Sequence, residues 1–77
     1  MRARDVVAIS RARALAASGQ AREIRVRAGV SQAEMAKAIG VDPSSVTHWE
    51  NRRRIPRGDV ALKYGRLLDR LAGESES

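Results

Sequence analysis

Apolar residues recur along the chain at the three- and four-residue spacing of amphipathic helices, and no stretch keeps the alternation of a β-strand. Glycine and proline residues divide this pattern into separate segments. The segments predict helices over residues 5–17, 19–28, 32–39, 43–51 and 59–72, each with one apolar face. The sequence therefore predicts an all-α fold, a small bundle of four to five helices.

The same pattern divides the chain into three parts. Residues 1–17 are expected to form a helical N-terminal extension, residues 18–72 a single domain, and the polar residues 73–77 a disordered tail. The length of 77 residues leaves room for one small domain and little else. A chain this short buries only about 60% of its unfolded surface, so a second copy or a partner would add stability.

The strongest local signals lie in the middle of the chain. Ser31 and Glu34 have the spacing of a capping box, in which each side chain bonds the backbone amide of the other residue. Gly40 can take a positive φ and end that helix, and Asp42 followed by Pro43 marks the start of the next. Two short helices joined by a three-residue turn predict a helix-turn-helix unit over residues 32–51.

The second helix of this unit, residues 43–51, has two different faces. Its inner side should pack on the first helix, and the predicted structural positions of the unit are Met35, Ala36, Ile39, Gly40, Val46 and Trp49. Its outer side carries short hydrogen-bonding side chains, where a merely solvated face usually carries Glu and Lys. Such a face fits the major groove of DNA, where base edges present donors and acceptors. The candidate base-contacting residues are Ser44, Ser45, Thr47 and His48.

The charge of the chain points in the same direction. Fifteen basic residues against nine acidic ones give a formal net charge of +6, and a small basic domain typically has an acidic partner such as nucleic acid. Most of the basic residues are Arg, and both Arg and Ala are favoured by GC-rich codons, so only position indicates which Arg matter. The cations that directly follow the second helix lie where flanking phosphates would run; they are Arg52, Arg53, Arg54 and Arg57.

The string SQAEMAKAIGVDPSSVTHWEN over residues 31–51, with Pro56 after it, resembles the helix-turn-helix family of phage repressor and Cro proteins, the XRE or Cro/CI family. The resemblance implies a phosphate contact for Gln32, whose amide also braces the recognition helix. It implies phosphate contacts for Asn51 and the following arginines, and a structural ion pair between Arg25 and Glu50. Arg52 departs from the family, which usually has Gly there. Either Arg52 adopts a left-handed conformation at a cost of about 1–2 kcal/mol, or the helix continues through it.

The resemblance covers residues 18–72 and implies a bundle of the lambda-repressor DNA-binding type, with residues 43–51 as the recognition helix. It implies a cytoplasmic, nucleoid-associated transcriptional regulator that reads a double-stranded DNA operator in a sequence-specific manner. Since one small module discriminates poorly, we expect a homodimer on a pseudo-palindromic operator. Candidate dimer contacts lie on the N-terminal helix or at the end of the last helix, at Leu67, Leu68 and Leu71.

Other classes of function fit less well. The chain has no Cys, a single His and no Gly-rich phosphate loop, so we expect no enzyme, metal site, cofactor or small-molecule substrate. No apolar run reaches the roughly 18 residues that a membrane span needs. The remaining alternative is an antitoxin-like protein-interaction module, for which DNA binding is secondary or absent. Its docking element would be the N-terminal helix, through Val6, Ile9 and Leu15.

Overall fold

The computed structural model describes residues 1–76, with side chains through Gly73, and no strand occurs within that range. The described chain forms five helices, which are α1 (Ala3–Ser18), α2 (Gln20–Arg27), α3 (Gln32–Ile39), α4 (Pro43–Glu50) and α5 (Gly58–Glu76). The predicted all-α bundle is confirmed.

The junction between α1 and α2 is a single glycine. Gly19 has φ +86°, a left-handed conformation that costs glycine little, and it both ends α1 and begins α2. Ser18 lies one residue earlier, in the last turn of α1. Its hydroxyl donates to the carbonyl of Leu15 and accepts a 3.3 Å hydrogen bond from the amide of Gln20. Ser18 therefore supports both helices, although the cap position belongs to Gly19.

The core contains aliphatic side chains, alanines and a single pair of aromatic rings. Trp49 of α4 and Tyr64 of α5 stack with their ring centroids 4.8 Å apart and their planes tilted by 37°. The other buried apolar residues are Ile9, Ala12, Leu15, Ala16, Ala21, Met35, Ala36, Ile39, Val46, Ala61 and Leu68. These residues come from all five helices, so the recognition helix predicted from the sequence rests on the common core.

Helices α1 and α5 make the most extensive contact in the molecule. Gly65 of α5 allows the close approach, because a Cβ at this position would lie 2.5 Å from the carbonyl oxygen of Ala8 and 3.3 Å from the Cβ of Ala12. Two ion pairs flank this contact: Arg11 with Asp69 at 2.6 Å, and Arg66 with Asp5 at 2.8 Å. The close approach explains a glycine inside a helix, where it otherwise costs about 1 kcal/mol relative to Ala.

Helix α1, the predicted N-terminal extension, contributes four residues to the core. The burial of these residues weakens the alternative that α1 is a protein-docking helix. Ile9 and Leu15, two of its three proposed contacts, are buried against the rest of the chain, and only Val6 is exposed. The apolar face of α1 that the sequence suggests as a docking surface is thus mostly covered by α5.

The last helix is longer than predicted. It continues through Glu76, so residues 73–76, expected to form a disordered tail, are helical, and Ser77 lies outside the described residues. Gly73 does not take the positive φ of a helix-ending glycine. Leu68, suggested as a dimer contact, is fully buried in the core, whereas Leu67 and Leu71 are half-buried.

Candidate nucleic-acid interface

Helices α3 and α4 form the predicted helix-turn-helix unit, and their ends carry the predicted caps. The Ser31 hydroxyl accepts from the Glu34 amide at 3.0 Å, and the Glu34 carboxylate accepts from the Ser31 amide at 3.0 Å. Gly40, at φ +91°, ends α3. The Asp42 carboxylate accepts from the Ser44 amide at 2.9 Å and begins α4, and this bond holds the pKa of Asp42 below its usual value. The capping box and the aspartate cap are both confirmed.

The predicted apolar residues between α3 and α4 are buried. Met35, Ala36 and Ile39 of α3 and Val46 and Trp49 of α4 are each at most 6% exposed. Because these side chains fill the space between the two helices, α4 is held with its other side outward.

A buried ion pair fixes the end of α4 to α2. The Arg25 guanidinium donates from Nε to Glu50 Oε2 at 2.6 Å and from Nη2 to Oε1 at 2.9 Å, a two-point geometry. Nη1 also donates to the carbonyl of Val30 at 2.9 Å. Burial raises the pKa of Glu50, but hydrogen bonds from Arg25 and Gln32 and the charge of Arg25 outweigh it, so the pKa lies below its usual value. The ion pair implied by the family resemblance is therefore present.

Gln32 links the two helices of the unit. Its Nε2 donates to Glu50 Oε1 at 3.0 Å, and its Oε1 accepts from the Thr47 hydroxyl at 2.7 Å. This is the bracing role implied for the glutamine. The second N–H of the amide remains for a phosphate oxygen, so bracing and phosphate contact are compatible.

The outer side of α4 carries the predicted base-contacting residues, with different degrees of access. Ser44 is exposed, and Ser45, Thr47 and His48 are half-buried. The Thr47 hydroxyl donates to Gln32 Oε1 at 2.7 Å and lies 3.3 Å from the Pro43 carbonyl, which leaves its methyl group and an oxygen lone pair for an outside contact. The His48 Nδ1 is enclosed and has no hydrogen-bond partner among the described residues, so an outward contact by this imidazole uses Nε2.

The segment from Asn51 to Arg57, called the basic loop below, follows α4 directly. Asn51 ends the helix, and Arg52 takes φ +60°, which resolves the alternative left open by the sequence. An arginine in this conformation costs about 1–2 kcal/mol. The next two amides, of Arg53 and Arg54, donate back to the His48 carbonyl at 2.9 and 3.4 Å, which closes the turn.

Three arginines of the basic loop are open to an anion. Arg53, Arg54 and Arg57 are exposed, line one surface hollow together with Ile55, and have no ion-pair partner in the described part of the chain. Arg52 differs, because its Nη1 donates to the carbonyl of Ala17 at the end of α1. The loop therefore offers three free guanidinium groups directly after α4 in the chain.

Sequence reasoning missed the contacts of this loop with α1. Arg52 reaches Ala17 at 3.1 Å, and Arg13 of α1 donates from Nε to the carbonyl of Pro56 at 3.0 Å. Both bonds join residues far apart in the chain, and nothing in the local pattern distinguishes Arg13 from other surface arginines. The one weak signal for this contact is that Arg13 lies next to the buried residues on a helical wheel of α1.

Among the residues whose side chains the structure describes, no group of three His, Asp or Glu side chains could hold a metal ion. No helix within residues 1–76 is long and apolar enough to cross a membrane.

Comparison with known protein families identifies a matching family. The helix-turn-helix family model matches residues 22–72, which include α3, α4, the basic loop and most of α2 and α5. No curated protein and no solved structure matches the chain significantly. Because the model spans about two thirds of the chain and includes the capped, braced helix pair, the protein belongs to the XRE-type helix-turn-helix family of DNA-binding transcription regulators.

Proposed function

We propose that this protein is a transcriptional regulator of phage repressor or Cro type that reads a double-stranded DNA operator through α4. The recognition helix enters the major groove, and Ser44, Ser45 and His48 contact base edges there. Thr47 adds its methyl group to this readout, in keeping with its bonded hydroxyl. The contacts to bases specify the sequence, while contacts to phosphates set the position of the helix.

The phosphate contacts are assigned to the residues on either side of α4. Gln32 lies at the start of α3, and its side-chain amide has one N–H that is not bonded to Glu50. Asn51 directly follows α4 and has an exposed side chain. The remaining contacts come from the arginines of the basic loop, Arg53, Arg54 and Arg57, with Arg52 in support.

A single observation supports this proposal most strongly. The outer face of α4 presents short polar side chains, and its other side is tied to the core and, through Glu50, to Arg25 and Gln32. A rigid helix with a solvent-facing hydrogen-bonding side and three free arginines beside it is suited to a groove lined by phosphates. A helix kept only for solubility would need neither the brace nor the free arginines.

We further propose that the protein acts as a homodimer on a pseudo-palindromic operator. Helix α4 has eight residues and is thus about 12 Å long, which spans only a few base pairs. The longest dimension of the Cα trace is 31 Å, shorter than the roughly 34–36 Å between half-sites one helical turn apart. One copy therefore reads one half-site. Exposed Val6 and Val7 on α1 and half-buried Leu67 and Leu71 on α5 are the candidate contacts between copies.

Selection of binding sites from a random duplex pool tests the proposal. We expect an enriched site with two inverted half-sites, protected in footprinting over both halves. The full chain should bind that duplex more tightly than a scrambled duplex of equal composition. A footprint that covers one half-site would contradict the dimer, and equal binding of selected and scrambled duplexes would contradict sequence-specific reading.

A further inference from the structure

Helix α1 precedes the matched family range, which begins at residue 22, yet it contacts the basic loop at both ends. The family unit alone does not account for these bonds. These bonds connect α1 to the loop that carries the exposed arginines.

The first bond holds the end of the loop. Arg13 donates from Nε to the carbonyl of Pro56 at 3.0 Å, and Pro56 is itself fully buried. Arg57, one of the three free arginines, follows directly. The α1 side chain therefore fixes the backbone from which Arg57 extends.

The second bond holds the start of the loop. Arg52 donates from Nη1 to the carbonyl of Ala17, one of the last carbonyls of α1, which have no partner within the helix. The last turn of α1 has no basic residue of its own, so Arg52 supplies the cation that the negative end of the helix dipole favours. This bond also gives a reason for a left-handed arginine at a position where glycine would be unstrained.

Between the two bonds the loop is not packed tightly on the core. A half-open groove of about 360 Å³ lies between it and the helices, lined by residues of α1, α4 and the loop, among them Ala16, Trp49 and Ile55. Because the loop is not closely packed along this groove, the bonds at its ends contribute to its shape, together with the buried Pro56 and the backbone bonds to His48. Helix α1 can serve as a fixed support because Gly65 allows it to pack closely against α5.

We propose that α1 is a clamp that holds the basic loop in its phosphate-binding shape, with Arg13 and Arg52 as positioning residues. This inference rests on the proposed function. Arg13 acts through the backbone of Pro56 and contacts no phosphate. Its loss therefore loosens the loop and weakens binding without removing a phosphate contact, whereas loss of Arg53 removes one.

The test compares Arg13→Gln with Arg11→Gln in the full chain. Both variants lose one positive charge from α1, and Arg11→Gln also loses a contact with α5, but only Arg13 touches the loop. Hydrogen exchange of the Arg53 and Arg54 amides, which bond to the His48 carbonyl, reports the loop in the free protein. Affinity is measured at several salt concentrations, with a duplex selected by the wild-type protein and with a scrambled duplex.

We expect exchange at these amides to become about tenfold faster in Arg13→Gln, the factor that loss of one charged hydrogen bond allows. Affinity for both duplexes should fall with an unchanged salt slope, and Arg11→Gln should stay close to wild type. Arg52→Gly gives a second check. It relieves the left-handed strain, so faster loop exchange in this variant supports the clamp, and slower exchange contradicts it.

The experiment distinguishes failure of the clamp from failure of the proposed function. If the wild-type protein binds the selected duplex and Arg13→Gln behaves like Arg11→Gln in exchange and affinity, the clamp is wrong and the proposed function stands. If the wild-type protein binds no duplex, the proposed function fails, and the inference fails with it.

Discussion

Replacement of Glu50 by Gln should destabilise the fold far more than any change at a surface ion pair. The variant keeps the shape of the side chain and an oxygen that accepts from Arg25 and Gln32. It removes the negative charge, however, and leaves the Arg25 guanidinium buried without a counter-ion. A buried charge in that position costs much more than the pair contributed when intact.

The expected loss of stability follows from how deeply each ion pair is buried. The side chains of Arg25 and Glu50 are 10% and 2% exposed, whereas those of Arg11 and Asp69 are 53% and 46% exposed. Breaking a buried pair costs about 3–5 kcal/mol, and we expect the lower end because Gln still accepts hydrogen bonds. The matched change Asp69→Asn should cost less than about 1 kcal/mol. For a domain of this size the total stability is about 4–12 kcal/mol, so Glu50→Gln removes a large part of it.

Thermal and urea denaturation followed by circular dichroism measure both variants. A loss of about 3 kcal/mol lowers the Tm by about 12–24 °C, and a loss below 1 kcal/mol lowers it by only a few degrees. The double variant Arg25→Gln/Glu50→Gln should recover part of the loss, because no uncompensated charge remains. Equal destabilisation by Glu50→Gln and Asp69→Asn would refute the reasoning from burial.

Three further outcomes are expected in stability measurements on the full chain. Tyr64→Phe should be neutral or stabilising by urea denaturation, because the buried Tyr64 hydroxyl has no hydrogen-bond partner among the described residues; a loss above about 1 kcal/mol would reveal a partner. Gly65→Ala should destabilise by about 1–3 kcal/mol despite its higher helix propensity, since its Cβ would meet the Ala8 carbonyl, and an unchanged or raised Tm would contradict that contact. The lowered pKa of Glu50 means that its stabilisation is present above its unfolded pKa of about 4.3 and is lost as the pH falls through the folded pKa. The urea midpoint should therefore be level above about pH 5 and fall in acid, and Glu50→Gln should show a smaller acid loss; an identical acid loss in both proteins would contradict the assignment to Glu50.

The helix-turn-helix unit could be predicted from the sequence because its signals are local. The Ser31 capping box, the Asp42 cap and the turn at Gly40 each act within a few residues, and all are present in the structure. The buried and exposed positions of α4 follow from its short helical period. Val46 and Trp49 are therefore inside, as predicted.

The parts that depend on tertiary packing could not be predicted in the same way. Helix α1 has a weakly amphipathic sequence, and its place against α5 depends on the approach at Gly65. The buried stack of Tyr64 on Trp49, and the bonds from Arg13 and Arg52, join distant segments with no local signature. The predicted last helix ends at residue 72, before Gly73, because glycine often ends a helix; the structure continues α5 to Glu76.

The central claim is that the outer face of α4 reads bases while the arginines of the basic loop bind phosphates. The most direct measurement is the affinity of two single variants, Ser44→Ala and Arg53→Gln, for the selected and the scrambled duplex over a range of salt concentrations. Ser44→Ala should reduce the preference for the selected duplex by about 1–3 kcal/mol and leave the salt slope unchanged. Arg53→Gln should weaken binding to both duplexes alike and reduce the salt slope by about 0.9 for the lost phosphate contact. Identical behaviour of the two variants, or no preference of the wild-type protein for the selected duplex, would contradict the account.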